Sequence, residues 1–553
     1  MTPPALAAAS EPSTPAGPAP AATSRRAAFE RWMAAQGIWL DPRAAIVDPA
    51  ESSDAAAPAA GAATAAAVGV LATAELCAGE TICRIPKAAV LSWRNVFDEA
   101  HYAELERVPY PAVTAIALAV ERARGAASRW HGYVQFLPDE EPLPLLWSEA
   151  DLALLAGTGT ATLVAQQRSS FTADYHRHVR PLFRRHAKRW GLPEAATTLQ
   201  SFLQAASLVS SRAFDVDAHH GHAMVPLADL FNHRSGAETI HVIGSGSACS
   251  CCVEDSDGEE EDDDDDDESA EEGAEDDDDD DDEAASNGSS DAEAAGSSGE
   301  VGAPADAGDA PAAARGHRRQ RLASDADGAE IGTQSDGGLS AVTDPFVLEM
   351  ELVANVAANE EIWNTYGELG NAALLCKYGF AELGNPHDTV TLPASMVHTA
   401  ARRAVGETQW KARWRYWRQH ADAEAEFVIA HDGTIPDGLL ALLMTATAPP
   451  DAFASWMGLD AVEAASADAI LAMPRVRDAL EAALAARWAQ YAVPDTSEAE
   501  LERLPALPAG PARYAAIVRI GEKQVIERAR ALLAAAAAGP SALDSPRKRV
   551  RTA

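Results

Sequence analysis

The spacing of apolar residues changes along the chain from a helical to a strand pattern and back. A helix is predicted over residues 27–36, with Phe29 and Trp32 on one side and Gly37 as its stop. Short strands are predicted over 69–72 and 81–85, because compact apolar runs there are separated by the turn residues at 79–80. The chain therefore opens with a helix followed by β structure.

Helical spacing then dominates a long stretch. In residues 111–124 the apolar positions Val113, Ile116, Ala117 and Val120 recur at helical intervals, and similar patterns continue to Leu203. Strand character returns over 223–227, 239–243 and 346–353, the last with alternating apolar residues. We expect an α+β fold in which a helical insertion, about 95–205, separates two β regions.

The segment 244–343 has a different composition, dominated by Asp, Glu, Gly, Ser and Ala. Such a sequence buries too little apolar surface to offset its ordering entropy, so a disordered acidic loop is predicted. Residues 254–283 hold 24 acidic and no basic residues in 30 positions, and without them the net charge is −16 instead of −40. Because the rest of the chain is also acidic, we expect no basic surface for double-stranded nucleic acid. We therefore expect no direct nucleic-acid partner.

Beyond Phe380 the pattern is helical to Ala538, which predicts a helical domain over 386–538. The flanking segments are predicted to be a disordered leader, 1–26, and a basic tail, 539–553. The tryptophans at 410, 414 and 417 have near-helical spacing and are predicted to be core residues. No membrane span is expected, since the Ala-rich run 55–78 is interrupted by proline and glycine and is weakly apolar.

The six cysteines do not form a disulfide framework for a chain of this length, which favours a reducing compartment. Cys249, Cys251 and Cys252 are clustered and could hold zinc together with a histidine near 219–222. A second paired cluster is missing, so we expect no metal.

Three distant segments carry an unusual combination of polar and aromatic residues. They are Ser211–Phe214, Pro226–His233 with its Asn-His pair, and Asn364–Gly367 followed by Lys377–Phe380. Together they resemble the SET domain of the Rubisco large-subunit methyltransferase type, and most closely its nuclear and ribosomal-protein lysine methyltransferase members. The resemblance extends through Trp130–Tyr133 in the helical insertion and over nearly the whole predicted ordered chain.

The resemblance implies a fold and a reaction. The fold is a SET domain with small β-sheets and a knotted core, interrupted by a helical insertion and followed by an all-α substrate-binding domain. The cofactor is S-adenosyl-L-methionine, and the reaction is methyl transfer to a protein lysine. The zinc-binding cysteine flanks of histone-type SET enzymes are absent.

The same resemblance implies roles for particular residues. The catalytic residues are Tyr366 and Tyr378, and the substrate-binding residues are Arg212, Asp229 and Tyr378. The cofactor-binding residues are Val68, Gly69, Arg212, Asn232, His233 and Tyr366.

The residue types suit this chemistry. A lysine amine must lose its proton before it attacks a methyl group, and an apolar channel favours the neutral form. The rings of Tyr366 and Tyr378 would wall off water while their hydroxyls orient the amine. Tyrosine at 378 favours lysine over histidine as the acceptor, because an actin-histidine methyltransferase class of the family differs at this position.

The sequence departs from the family pattern at two positions. Ala67 stands where relatives usually have the first glycine of Gly-x-Gly, and only Gly69 is kept. Asn359 stands where relatives commonly have glycine, and asparagine also accepts a positive φ in a turn.

The expected partner is a protein with a target lysine, basic in character and either histone-associated or ribosomal. The protein is expected to be a monomer without membrane contact. The basic cluster 546–551 favours a nuclear location, with cytoplasm and chloroplast as alternatives. A rival interpretation is an acidic histone- or ribosomal-protein-binding protein whose SET domain is catalytically silent.

Overall fold

The computed structural model describes residues 24–51, 68–243, 346–420, 426–456 and 466–538, without the side chains of 418–420 and 455–456. The predicted acidic loop, the basic tail, nearly all of the leader, the cysteine cluster and Ala67 lie outside these residues. Within them, no helix is both long and apolar enough to cross a membrane.

The β part consists of short antiparallel strands. A four-stranded sheet has the order β1-β4-β8-β7, and three two-stranded sheets pair β2 with β3, β5 with β6, and β9 with β10. The strands are β1 Trp39–Leu40, β2 Ala44–Val47, β3 Gly69–Ala72, β4 Thr81–Pro86, β5 Ala213–Asp215, β6 His222–Met224, β7 Ile240–Ile243, β8 Val347–Leu352, β9 Val390–Pro393 and β10 Glu426–Ile429.

Helices account for most of the remaining described residues. They are α1 Arg25–Ala35, α2 Trp93–Val96, α3 Tyr102–Leu105, α4 Ala112–Arg124, α5 His131–Val134, α6 Glu149–Leu152, α7 Gly159–Asp174, α8 Arg180–Trp190, α9 Leu199–Arg212, α10 Asn371–Tyr378, α11 Ala394–Val405, α12 Glu407–His420, α13 Asp437–Thr447, α14 Pro450–Trp456, α15 Ala467–Leu471, α16 Pro474–Trp488, α17 Ser497–Arg503 and α18 Pro511–Ala538.

The pairing of β4 with β8 brings together strands more than 250 residues apart. Ile85 lies opposite Leu348, and the predicted alternation in β8 is confirmed because Leu348, Met350 and Leu352 are buried. The chain between β7 and β8 leaves and re-enters the sheet at neighbouring strands. Strand β7 is therefore an edge strand of this sheet, with β8 as its neighbour.

The helical insertion packs against this β part. Helix α4 lies against α9, and Ile116, Ala117 and Leu118 are fully buried between them and the strands. Helix α9 ends at Arg212 and passes directly into β5. Arg212, the last residue of this helix, therefore lies in the region where the other motifs lie.

The C-terminal part is helical, as predicted, with one difference. A two-stranded sheet of β9 and β10 opens it, with Val390 opposite Ile429 and both buried. Each of these strands is only four residues long, which is too short to show a strand pattern beside the helical spacing of the neighbouring residues. Trp410 is 7% exposed, and the other two tryptophans are half-buried against the same core, so their predicted core role is confirmed.

Helix α18 joins the C-terminal part to the insertion through a buried carboxylate. Glu522 accepts the N–H of Gly159 at 2.7 Å, the Arg487 guanidinium at 2.7 Å and the Tyr491 hydroxyl at 2.8 Å. A buried charge is tolerated when its hydrogen bonds are satisfied in this way. The contact holds the C-terminal helices beside the cavity described next.

Candidate active site

Two chain segments pass each other to form the centre of the site. The N–H of Asn364 donates to the carbonyl of Asn232 at 2.8 Å, and His233 pairs with Asn364 in parallel orientation. The N–H of Tyr366 donates to Nδ1 of His233 at 3.0 Å. His233 thereby holds the backbone that carries Tyr366.

An aromatic cluster lies at this crossing. The ring centroids of Tyr366 and Tyr378 are 4.3 Å apart, and Phe380 is 6.5 Å from each of them. The Tyr366 hydroxyl donates to the carbonyl of Phe231 at 3.2 Å, which fixes where it points. The arrangement gives an aromatic surface that carries phenolic hydroxyls.

Helix α10 places Tyr378 at this cluster. Its first N–H, that of Asn371, donates to the Asp388 carboxylate at 2.7 Å, so a residue far along the chain caps the helix. At the other end Gly379 has a φ of +80°, which ends the helix directly after Tyr378 and turns the chain back to Phe380. The position of Tyr378 therefore depends on both ends of α10.

A charged group lies beside the tyrosines. Arg212 donates to Glu141 at 2.7 Å and to the carbonyl of Asp229 at 3.2 Å, and it forms a salt bridge to the Asp229 carboxylate at 3.4 Å. Oδ2 of Asp229 also accepts the Tyr133 hydroxyl at 2.8 Å, whereas its buried Oδ1 has no partner among the described residues. The Asp229 side chain has no solvent exposure, so this acceptor is enclosed by the protein.

A second polar group lies where β3 begins. Nδ2 of Asn232 donates to the carbonyl of Val68 at 3.1 Å and to Glu361 at 2.7 Å. A Cβ at Gly69 would lie 2.6 Å from Oε1 of Glu361 and 3.0 Å from Nδ2 of Asn232, so only glycine fits without displacing these side chains. The retained glycine of the motif thus has a steric reason in this chain.

Burial shifts the ionisation of these groups. It raises the pKa of Tyr378 to about 12 and that of Tyr366 further still, so both hydroxyls keep their protons near neutral pH. Burial also raises the pKa of Glu361 and lowers that of His233, which leaves the imidazole neutral as the acceptor of the Tyr366 N–H. For Asp229 burial raises the pKa, although the Arg212 guanidinium opposes the effect.

These residues surround a cavity of about 1320 Å³. The volume exceeds that of typical small-ligand pockets and leaves room for a cofactor and a side chain together. Seven of the eight residues predicted for the site line it, while Gly69 lies behind the wall against Asn232. The seven are Val68, Arg212, Asp229, Asn232, His233, Tyr366 and Tyr378.

Sequence reasoning missed several residues of the wall. Glu141 pairs with Arg212, and Phe136, Trp363 and Glu382 line the same cavity. The outer wall comes from the C-terminal helices, including Arg513 and Tyr514. A carboxylate near the predicted Arg212 could have been expected from charge pairing, but nothing local marks the C-terminal residues.

The described residues contain no group of three or more His, Cys, Asp or Glu side chains placed to hold a metal. His220, one of the histidines considered for zinc, instead contacts the Asp217 carboxylate at 2.9 Å.

At the second departure from the family pattern, Asn359 has a φ of +70°, the conformation that asparagine was expected to accept.

Comparison with known proteins gives similar sequences, several of which are named as lysine methyltransferases. No family model matches the chain. It is 25% identical over 221 residues to ribosomal lysine N-methyltransferase 3 of Saccharomyces cerevisiae, covering 40% of this chain and 35% of that protein. It is 28% identical over 185 residues to the human N-lysine methyltransferase SETD6, covering 31% and 38%.

The similarity reaches a plant enzyme as well. The chain is 27% identical over 177 residues to the chloroplast Rubisco large-subunit N-methyltransferase of Nicotiana tabacum, covering 31% of this chain and 34% of that protein. The matched parts therefore span well under half the length of these three relatives.

Among solved structures, the SET domain of LSMT bound to lysine and AdoHcy is similar with a TM-score of 0.57 and 17% identity. The likeness covers 92% of this chain and 91% of that one. Rubisco LSMT bound to AdoMet gives a TM-score of 0.56 at 16% identity. The predicted fold class, a SET domain followed by a helical region, is confirmed by this likeness.

Proposed function

We propose that this chain, which has the SET-domain fold, transfers a methyl group from S-adenosyl-L-methionine to the side-chain amine of a lysine in a protein substrate. The observation that carries the proposal is the stacked pair of Tyr366 and Tyr378 at the crossing of the two motif segments. The relatives named as lysine methyltransferases support it.

The cofactor would lie on the side of the cavity formed by Val68, Asn232 and His233. These residues fit it because they offer amide and backbone donors and acceptors for an amino-acid group. Phe380 and Trp363 offer aromatic faces for a purine. When bound, S-adenosyl-L-methionine supplies an electrophilic methyl group.

The lysine would reach the site along the edges of the Tyr366 and Tyr378 rings, because the stacked pair leaves no gap between its faces. A narrow apolar passage desolvates the amine and lowers its pKa, which increases the neutral fraction that can attack. The elevated pKa values of Tyr366 and Tyr378 keep both hydroxyls as donors, so neither serves as the base. Their task is to orient the reacting groups, which supplies much of the acceleration in an in-line displacement.

The substrate backbone would lie against Arg212 and Asp229. The partly exposed Arg212 would contact it, and the buried Asp229 carboxylate would hold that guanidinium in place through their salt bridge. The outer wall around Arg513 and Tyr514 extends the surface toward the C-terminal helices. We propose that residues 386–538 contribute substrate binding there.

The lining charges bear on the kind of substrate. The lining has three carboxylates and four arginines, so the cavity itself has no acidic excess; they are Glu141, Asp229 and Glu382, and Arg25, Arg212, Arg234 and Arg513. The proposed preference for basic nuclear or ribosomal proteins therefore depends on surfaces outside the cavity. The acidic residues 254–283 are the strongest candidate.

The test is transfer of labelled methyl groups from the cofactor to proteins of nuclear and ribosomal extracts, with the modified residue identified by mass spectrometry. Tyr366→Phe should reduce the rate by roughly 100-fold, because it removes an orienting hydroxyl and keeps the ring. Tyr175→Phe is the matched control, since its buried hydroxyl donates to Thr197 outside the cavity. Label on histidine, equal activity in Tyr366→Phe, or salt-sensitive binding without transfer would reject the proposal.

A further inference from the structure

Asn232 offers the cavity one particular atom of its side-chain amide. The protein itself uses both hydrogens of Nδ2, which donates to the carbonyl of Val68 at 3.1 Å and to the Glu361 carboxylate at 2.7 Å. Oδ1 has no protein partner among the described residues and is not enclosed, and Asn232 lines the cavity. The atom that faces a bound molecule is therefore the acceptor Oδ1 and not the donor Nδ2.

The orientation of this amide is determined by its two partners. The Val68 carbonyl can only accept, so an amide turned by half a rotation would place Oδ1 against it and against the Glu361 carboxylate. Oxygen atoms would then face each other, and both hydrogens of Nδ2 would lose their partners. Only the observed orientation satisfies all three groups.

Glu361 is held beside the amide by its surroundings. Its backbone is bridged to β3, and the missing side chain of Gly69 leaves room for the carboxylate, since a Cβ there would lie 2.6 Å from Oε1. The adjacent Glu360 is exposed, and its Oε2 accepts the N–H of Ala357 at 3.1 Å. The two neighbouring carboxylates therefore differ, because only that of Glu361 contacts Asn232.

We propose that Glu361 is a positioning residue that holds the Asn232 amide so that Oδ1 receives the α-ammonium group of the bound cofactor. The inference rests on the proposed function, because S-adenosyl-L-methionine carries an ammonium and a carboxylate group on one carbon. The oxygens of Asn232, Val68 and Glu361 attract a cationic donor at this place and repel a carboxylate. Glu361 is not among the residues that line the cavity, so it acts through Asn232.

Positioning can be separated from simple attraction by charge. In Glu361→Gln the side chain keeps an oxygen that accepts from Nδ2 of Asn232, but it loses the negative charge. In Glu361→Leu both the acceptor and the charge are lost. A positioning role therefore survives the first substitution and not the second, whereas attraction by charge is lost in both.

The experiment measures the binding of two probes by titration calorimetry, S-adenosyl-L-homocysteine and its deamino analogue, in which hydrogen replaces the ammonium group. The wild-type protein should bind the analogue about 10-fold more weakly or worse, because Oδ1 of Asn232 then lacks its donor. In Glu361→Leu the affinity for S-adenosyl-L-homocysteine should fall about 10-fold, while that for the analogue changes less than about 2-fold. Glu361→Gln should keep most of the selectivity, and the control Glu360→Leu should keep all of it.

Other outcomes would overturn the proposal. These are equal affinity of the wild-type protein for both probes, equal losses for both in Glu361→Leu, or a loss of selectivity in Glu361→Gln as large as in Glu361→Leu. Each of them leaves the proposed function intact, whereas a wild-type protein that binds neither probe would reject the proposed function and this inference together. Thermal melting checks that the variants fold, and if Glu361→Leu does not, the wild-type protein and Glu361→Gln decide.

Discussion

At the scale of single residues, the site depends on polar atoms whose partners come from distant parts of the chain. Asn232 bonds to Val68 and Glu361, and Asp229 bonds to Tyr133 and Arg212. The motif residues could be predicted because their types and their order along the chain resemble the motifs of a known family. Tyr133 belongs to a predicted motif of the helical insertion, but its bond to Asp229 could not be predicted, since a pairing across 96 residues leaves no local signal.

Asn232→Ala should weaken binding of S-adenosyl-L-methionine by about 1 to 3 kcal/mol, because it leaves polar atoms of the bound cofactor without their partner. The bonds of Asn232 to the Val68 carbonyl and Glu361 hold its side chain at the cavity wall. Titration calorimetry measures the affinity. Asn95→Ala is the control, because its amide also donates to two backbone carbonyls, those of Lys87 and Val90, away from the cavity. Equal affinity in the Asn232 and Asn95 variants would remove Asn232 from the cofactor site.

At the scale of elements, α10 connects stability to the position of Tyr378. Asp388 accepts both the backbone N–H and the side-chain amide of Asn371, and burial raises its pKa to about 6. An acid whose pKa is higher in the folded state binds protons more tightly when folded. Its contribution therefore makes the protein more stable as pH falls from 7 toward 5.

Relative to Asp388→Asn, the wild-type protein should gain about 1 kcal/mol of unfolding free energy between pH 7 and pH 5. Chemical denaturation at both pH values measures the difference, and the comparison cancels other titrating groups. If the two proteins show the same pH dependence, Asp388 is ionised in the folded state and its proposed burial effect is wrong.

Elements could be predicted from the sequence where the periodic pattern was long or strict. The helix of residues 112–124 and the alternation in β8 were predicted correctly, because each has several apolar positions in register. The strands β1, β2, β5, β9 and β10 were missed. They are two to four residues long, and their pairing is decided by distant partners and not by their own sequence.

At the scale of the whole molecule, residues 244–345 separate the two segments that meet in the site. The free energy of closing a chain loop grows only slowly with its length, with each doubling adding about 0.6 kcal/mol. Replacing residues 246–338 with a short Gly-Ser linker should therefore leave cofactor affinity and the melting temperature nearly unchanged. A large loss of either would mean that the segment is a structural part of the site.

The same replacement should raise the Michaelis constant for a basic protein substrate at low salt, and much less for a neutral peptide with the same lysine. Dense negative charge attracts basic partners over a screening length of about 10 Å at 0.1 M salt. Steady-state kinetics at two ionic strengths provide the measurement. If both substrates respond alike, or neither responds, recruitment by the acidic residues is excluded.

The crossing of the two motif segments also has a consequence for folding during synthesis. His233 pairs with Asn364, and Gly159 bonds to Glu522, so contacts around the cavity span 131 and 363 residues of sequence. Folds rich in such distant contacts form slowly, because chain closure precedes the gain from contact. A ribosome must release nearly the whole chain before the pocket can assemble. Premature termination anywhere before α18 should therefore yield a product that lacks the complete pocket, whatever part of the motif sequence it contains.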